Sequence, residues 1–221
     1  MAKEWAWSYS KKKNFDTCPK RHYEVDIQKN FVEDSEQLTW GNSVHAALAN
    51  ACTGKLPLPA TMSEYQPWVE RVQGGAGTLL VEQKLAITRD FQPCEWFSHK
   101  TWLRVVVDIL RIDDIVARAI DWKTGKMVHD SIQLALNAQC IFSHYPKVRR
   151  IKTEYVWLQE ACTTPEVFNR GDMARLWTGL LPEINAMEQA AKTLTYPPKP
   201  GKLCFKWCPV SSCPFHGKSN R

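Results

Sequence analysis

Residues 102–123, WLRVVVDILRIDDIVARAIDWK, decide the fold. Trp102–Leu110 and Ile115–Trp122 are rich in β-branched and apolar side chains, and Arg111–Asp114 is a polar connection, so the segment is predicted to be a β-hairpin. Asp108 lies inside Val105-Val106-Val107-Asp108-Ile109, and a carboxylate embedded in an apolar strand is costly to bury without a partner. On the second strand Asp121 and Lys123 are two residues apart and share a face, while Trp122 points the other way. Two neighbouring carboxylates suit a hard divalent cation, Mg²⁺ or Mn²⁺. A lysine beside such an ion suits the orientation or deprotonation of water, or the stabilisation of charge developing on a phosphate. A cross-strand salt bridge has the same Asp-x-Lys signature, so the wider chain has to separate the two readings.

Outward from the hairpin, Leu79–Thr88 reads as a preceding strand and Gln133–His144 as a following helix with Leu134, Ala138, Ile141 and Phe142 on one stripe. Lys152–Leu158 reads as a further strand. Gly171–Leu194 is predicted to be a long amphipathic helix that Pro182 bends or restarts. Upstream, Glu36–Cys52 has a helical pattern, and residues 53–78 form a loop-rich stretch with a short helix at Ser63–Val72. Near the start, Ser10 is placed as the cap of a short helix running to Thr17, and Pro19 opens another around Lys20–Asp26. The order predicts an α/β sandwich around a mixed sheet.

The 221 residues, 44% hydrophobic and 11% aromatic, are enough to bury a sizeable core and exclude general disorder. No apolar run reaches the ~18 residues of a membrane span. Met-Ala-Lys-Glu-Trp at the start lacks the apolar region of a secretory signal, so a cytoplasmic location, in a bacterial or phage-infected cell, is expected. The eight cysteines then read as core thiols or metal ligands rather than disulfides. The net charge of +6 is unevenly spread: residues 1–21 carry +4 and residues 192–221 carry +6, around a body of −4. Two basic ends on a mildly acidic body suit a polyanionic partner.

Cys204-x3-Cys208-x4-Cys213, flanked by Pro209 and Pro214, places three thiols in tight turns and reads as a metal-ligand set needing a fourth member. His216 would complete a local zinc knuckle; reduced thiols without metal are the third reading. Cys52, Cys94, Cys140 and Cys162 show no ligand spacing. Aromatic and basic residues interleave at both ends, in Trp5, Trp7, Tyr9 with Lys11-Lys12-Lys13, and in Phe205-Lys206-Trp207. Such surfaces suit single-stranded nucleic acid, although the tryptophans equally read as packing residues.

With these pieces in order, the chain resembles the PD-(D/E)XK nuclease superfamily, and within it the RecB-type exonucleases and CRISPR-associated adaptation nucleases. The matching elements are Ser8-Tyr9-Ser10 with Phe15-Asp16-Thr17-Cys18-Pro19 and Tyr23; Gly41-Asn42-Ser43-Val44-His45; Val107-Asp108-Ile109; Asp121-Trp122-Lys123-Thr124-Gly125-Lys126; and Gln133-Leu134-Ala135-Leu136, followed by the cysteine tail. The resemblance implies a restriction-endonuclease-like core, a mixed sheet flanked by helices, with a metal-stapled subregion built from both chain ends. It implies that Asp108, Asp121, His45 and the Trp122 backbone carbonyl hold Mg²⁺ or Mn²⁺, and that Lys123 serves the attacking water and the scissile phosphate. Gln133 matches a family glutamine that is normally followed four residues later by Tyr, where this chain has Asn137. Glu82 lies where many relatives carry an acid, and reads equally as a supporting group or as a solvated carboxylate beside Lys84.

Cys18 with Cys204, Cys208 and Cys213 resembles the 4Fe-4S staple of the adaptation nucleases and AddB-type nucleases, although the thiol spacing of three and four departs from the usual two and five. The resemblance therefore gives one nuclease domain, 1–221, in which 1–30 and 196–221 together form the staple. Its expected function is a Mg²⁺/Mn²⁺-dependent deoxyribonuclease, an exonuclease on single-stranded or end-containing DNA in recombination, repair or phage DNA processing. Lys11, Lys12, Lys13 and Lys206 are the expected DNA contacts. A non-catalytic nucleic-acid-binding module and a docking protein for a recombination, helicase or integrase partner are the alternatives.

Overall fold

The computed structural model describes residues 5–31, 35–128 and 130–218. Residues 1–4 and 219–221, the outermost parts of the expected staple, lie outside them. The chain divides into two compact units, Met1–Ala6 with Glu36–Leu176 and Trp7–Ser35 with Trp177–Arg221.

The first unit is built on a six-stranded mixed sheet. Its strands are β1 (Thr78–Ile87), β2 (Pro93–Cys94), β3 (Leu103–Asp113), β4 (Val116–Lys123), β5 (Arg150–Trp157) and β6 (Cys162–Asn169), in the order β2-β1-β3-β4-β5-β6. Only β4 and β5 pair in parallel, and the helix Ile132–His144 joins them, as a parallel crossover requires. The β3–β4 hairpin is longer and tighter than its polar connection implies. Both strands run to the pair Asp113–Val116, leaving a two-residue turn in which Asp114 takes φ 51°. Arg111 belongs to the strand because its guanidinium is drawn inward, donating to the carbonyls of Gly77 and Val72. β6 has no counterpart in the predicted elements: its Pro165 argues against a strand, and is tolerated because β6 is an edge.

In chain order the helices are α1 (Tyr9–Thr17), α2 (Pro19–His22), α3 (Glu36–Cys52), α4 (Gln66–Gln73), α5 (Ile132–His144), α6 (Met173–Thr193) and α7 (Leu203–Lys206). A core cluster packs Val44 and Leu48 of α3 and Val69 and Val72 of α4 with Ile109, Ile120, Trp122 and Val156 of the sheet. Leu134 of α5 clusters instead with Tyr155 and Trp157. Alternate residues of β5 thus serve two faces, which is strand periodicity made visible.

The functional consequence lies in how the sheet ends. β3 and β4 pair only as far as Ile109–Ile120. Beyond that point β3 stays with β1 to Leu103–Ile87, while β4 stays with β5 to Lys123–Trp157. The sheet splits there, and the next step of the same register sets Asp108 against Asp121.

In the second unit Ser8, rather than Ser10, caps α1, its hydroxyl accepting from the Lys11 N–H at 3.5 Å. Pro19 opens α2, where its missing N–H costs nothing, and a π-helical turn, Tyr23–Ile27, follows. Asp26 ties this segment together, accepting from the Asn14 amide at 2.9 Å and meeting His22 Nδ1 at 2.8 Å. Tyr196 stacks on Tyr23 with ring centroids 4.6 Å apart. α6 runs through Pro182 as one helix, so the expected restart is not there. Trp7 is buried and meets Trp177 edge-on at 6.5 Å, a packing role. Lys12 is the other correction. It is 4% exposed and lies 2.5 Å from each of Asp16 and Glu183, an internal ion pair that leaves it no reach to DNA. Among the described residues, no helix is long and apolar enough to cross a membrane.

Candidate active site

Three neighbouring strands bring three acids into one row at the split. Glu82 of β1 lies opposite Asp108 of β3, between the pairs Val81–Ile109 and Gln83–Val107, and Asp121 of β4 follows Asp108 on its other side. The ladder skips the Glu82–Asp108 step, and Glu82 takes φ 53°, a left-handed backbone that a side chain adopts at a cost. Asp108 Oδ2 accepts the Trp122 N–H at 2.8 Å, a bond that fills the place of a strand partner where β3 and β4 separate. From α3, His45 Nδ1 comes within 3.3 Å of Asp108 Oδ1. One ligand atom from each of His45, Glu82 and Asp108 lies within 4.8 Å of the others.

Asp121 is held differently. Its Oδ2 is 2.6 Å from Lys123 Nζ and its Oδ1 accepts from Gln133 Nε2 at 2.5 Å. Gln133, near the start of α5, also accepts from Lys123 Nζ at 2.8 Å. The three side chains form a closed ring, and the Lys123 ammonium lies 4.8 Å over the Tyr155 ring. Tyr155 is there because β4 and β5 are parallel with Asp121 beside it, a pairing no single-strand pattern reveals.

The site is short of positive charge. Burial, above all, pushes Asp121 up to about 6; Lys123 opposes the shift and Asp108 adds to it. Glu82 is raised by burial and then by the charge of Asp108. Burial alone would lower His45, but its hydrogen bond to Asp108 and the charges of Asp108, Asp121 and Glu82 outweigh that and raise it. Like charges opposite one another on adjacent strands repel, and a divalent cation relieves that repulsion with oxygen and imidazole ligands of the kind assembled here.

The sequence profile of the PD-(D/E)XK nuclease superfamily matches residues 6–214, nearly the whole chain. The chain belongs to that superfamily. Its members are phosphodiester-cleaving enzymes that use divalent metals, and the six-stranded sheet flanked by helices agrees with their core. No curated protein is a detectable sequence relative. Among solved structures, a "Putative exonuclease" from Eubacterium rectale shares 14% identity over 91% of this chain and 86% of that one, with a TM-score of 0.54. At that identity the likeness is one of fold. The crystal structure of SSO0001 aligns over 97% of this chain and 88% of that one, at 16% identity and a TM-score of 0.46.

The sequence-predicted residues of this nuclease domain fall into two geometries. Asp108, Asp121, Lys123, Gln133 and His45 come together at the sheet split, while Trp122 contributes its backbone beside them. Asp121 lies outside the His45–Glu82–Asp108 group; Gln133 donates to its Oδ1 and the Lys123 ammonium lies beside its Oδ2. Glu82 joins that group through the β1–β3 register, which its own strand does not reveal. Asn137, one turn after Gln133, is buried in α5.

The second geometry belongs to the second unit. Cys18, Cys204, Cys208 and Cys213 all line a cavity of about 140 Å³, together with Arg21, Lys199 and His216. The Lys199 N–H donates to Cys18 Sγ at 3.3 Å and the Gly201 N–H to Cys204 Sγ at 3.4 Å. Burial raises Cys208 foremost, with Cys204 and Cys18 adding to the shift and Arg21 opposing it. Among the described residues, the ligand atoms of Cys204, Cys208, Cys213 and His216 do not draw together within 4.8 Å as those of His45, Glu82 and Asp108 do. The same holds for Cys18 with Cys204, Cys208 and Cys213.

Proposed function

We propose that the protein is a metal-dependent deoxyribonuclease, an exonuclease that hydrolyses phosphodiester bonds in single-stranded or end-containing DNA. The row Glu82–Asp108–Asp121 at the sheet split, with Lys123 held beside Asp121, carries this reading. Asp108, Asp121, His45 and the Trp122 carbonyl are the groups to hold Mg²⁺ or Mn²⁺, and Glu82 joins them. The bound cation supplies an activated water and neutralises phosphate charge. Lys123 offers a positioned ammonium for the attacking water and the scissile phosphate. Gln133 fixes that ammonium through its Oε1 and fixes Asp121 through its Nε2. Tyr155 supports the ammonium from its ring face. Asp121→Ala and Lys123→Ala are each expected to abolish Mn²⁺-dependent degradation of labelled DNA while oligonucleotide binding stays measurable. Full activity in Lys123→Ala would remove the reading.

The thiol cavity is proposed to hold a 4Fe-4S cluster on Cys18, Cys204, Cys208 and Cys213. Four thiols lining one cavity are the ligand number and type that such a cluster takes. Backbone N–H groups are aimed at Cys18 and Cys204, and such donors to ligand sulfurs would tune a cluster's potential. Anaerobically purified protein is expected to be brown, with a visible absorption that Cys208→Ala abolishes. Colourless protein carrying stoichiometric zinc would overturn the assignment.

A further inference from the structure

Beyond the sheet split, β1 and β3 continue as a paired ribbon from Gln83–Val107 to Ile87–Leu103. One face of it is closed: Leu85, Ile87, Leu103, Val105 and Val107 are all 6% exposed or less. The alternate residues of β3, Arg104 and Val106, share the face of Asp108, and Lys84 is paired with Val106 there. Arg104 is four residues from Asp108, about 13 Å along the strand, and Lys84 is two residues from Glu82.

The loop after β2 adds two aromatic rings to this face. Arg104 Nε donates to the Trp96 carbonyl at 2.8 Å, and its guanidinium lies 5.5 Å from the Trp96 ring centroid and 5.6 Å from that of Phe97. Lys84 Nζ lies 5.9 Å from the Trp96 ring. Phe97 is 86% exposed. A phenylalanine left in water beside a guanidinium is poor packing and a good stacking platform. Neither Lys84 nor Arg104 forms an ion pair with a carboxylate among the described residues, although the charge of Lys84 acts on Glu82.

We propose that this ribbon is the track of a single nucleic-acid strand leading to the acidic row, with phosphates on Lys84 and Arg104 and bases stacked on Phe97 and Trp96. The proposal rests on the nuclease reading above and deepens it. Every base has a face to stack, so such a platform accepts any sequence but requires unpaired bases. A duplex, with its bases already stacked on one another, gains only the phosphate contacts. The charge pattern fits a polyanion, and the face is continuous with the proposed metal site on the same two strands.

The test is fluorescence anisotropy of a labelled 15-nucleotide single strand and the matching blunt duplex, in EDTA so that nothing is cut. Phe97→Ala, at a site too exposed to unsettle the fold, is expected to weaken single-strand binding about tenfold and duplex binding far less. Its salt dependence should match the parent protein. Lys84→Ala should instead lower the slope of log affinity against log salt by about 0.7 for the single strand. Unchanged single-strand affinity in Phe97→Ala, or an equal loss for duplex, would overturn the track. A strand that binds in this pattern but is never cut with Mn²⁺ removes the nuclease reading alone. Normal cutting with a silent Phe97→Ala removes the track alone.

Discussion

The proposed metal site at the sheet split and the proposed cluster site at the thiol cavity would assemble their ligands in opposite ways. At the sheet split, strand register does the work: Glu82, Asp108 and Asp121 are brought side by side by pairings that extend through the whole first unit. Their groups crowd together, and the crowding is electrostatically unfavourable until a cation arrives. In the second unit the four cysteines come from the start of α2, from the short helix α7 and from the turns after it, and they line a cavity. Hard oxygen ligands on a rigid sheet suit a small ion that exchanges with solvent. Soft sulfur ligands on turns suit a larger body that the chain closes around.

If that contrast is right, a chelator should separate the two regions, and this is the largest effect expected. Excess EDTA should take DNA degradation to background while the visible absorption of anaerobic protein stays intact. Loss of both signals together would merge the regions into one metal site. A smaller effect sharpens the role of Glu82. Glu82→Gln keeps the shape but removes the charge opposite Asp108, and should raise the Mn²⁺ concentration for half-maximal activity about tenfold. No change in that midpoint would return Glu82 to the solvated surface.

The smallest effect concerns the frame of the thiol region. Lys12→Met should cost about 1 kcal/mol of stability, because Asp16 and Glu183 are half exposed and remain hydrated once unpaired. Burial alone would lower the Lys12 ammonium, but its two carboxylates outweigh that and raise it above 10.5. A raised folded value means the contribution is complete below about pH 10.5 and is lost as pH rises through the folded value. Denaturant melts of the two proteins should therefore converge above that pH. A gap that persists there would make the role of Lys12 one of packing.

The sequence made the β3–β4 hairpin, α3, α5 and the ordered Asp108, Asp121, Lys123 and Gln133 legible, because each rests on local period or on spacing within one element. It left Glu82 ambiguous and gave no sign of Tyr155, Trp96 or Phe97 as neighbours of the site, because their positions depend on pairing between distant segments. Lys12 misled for the same reason. A run of three lysines reads as a solvated basic face until Glu183, from the far end of the chain, turns out to stand beside the middle one. The thiols were countable in the sequence, but whether they meet at a point or enclose a space is a property of the fold alone.

The two-residue turn at Asp114 and Ile115 sits roughly 20 Å of strand away from Asp121, and it touches none of the proposed chemistry. It nevertheless sets how many residues separate Asp108 from Asp121. One added residue in the turn has two ways out: the turn lengthens and the register holds, or β4 slips by one and carries Asp121 and Lys123 to the face now held by Trp122. The eight parallel pairs with β5 and the burial of Ile120 and Trp122 oppose the slip, so β4 takes its direction from its other edge, and the turn is where the chain can grow by a residue while the acids keep their row.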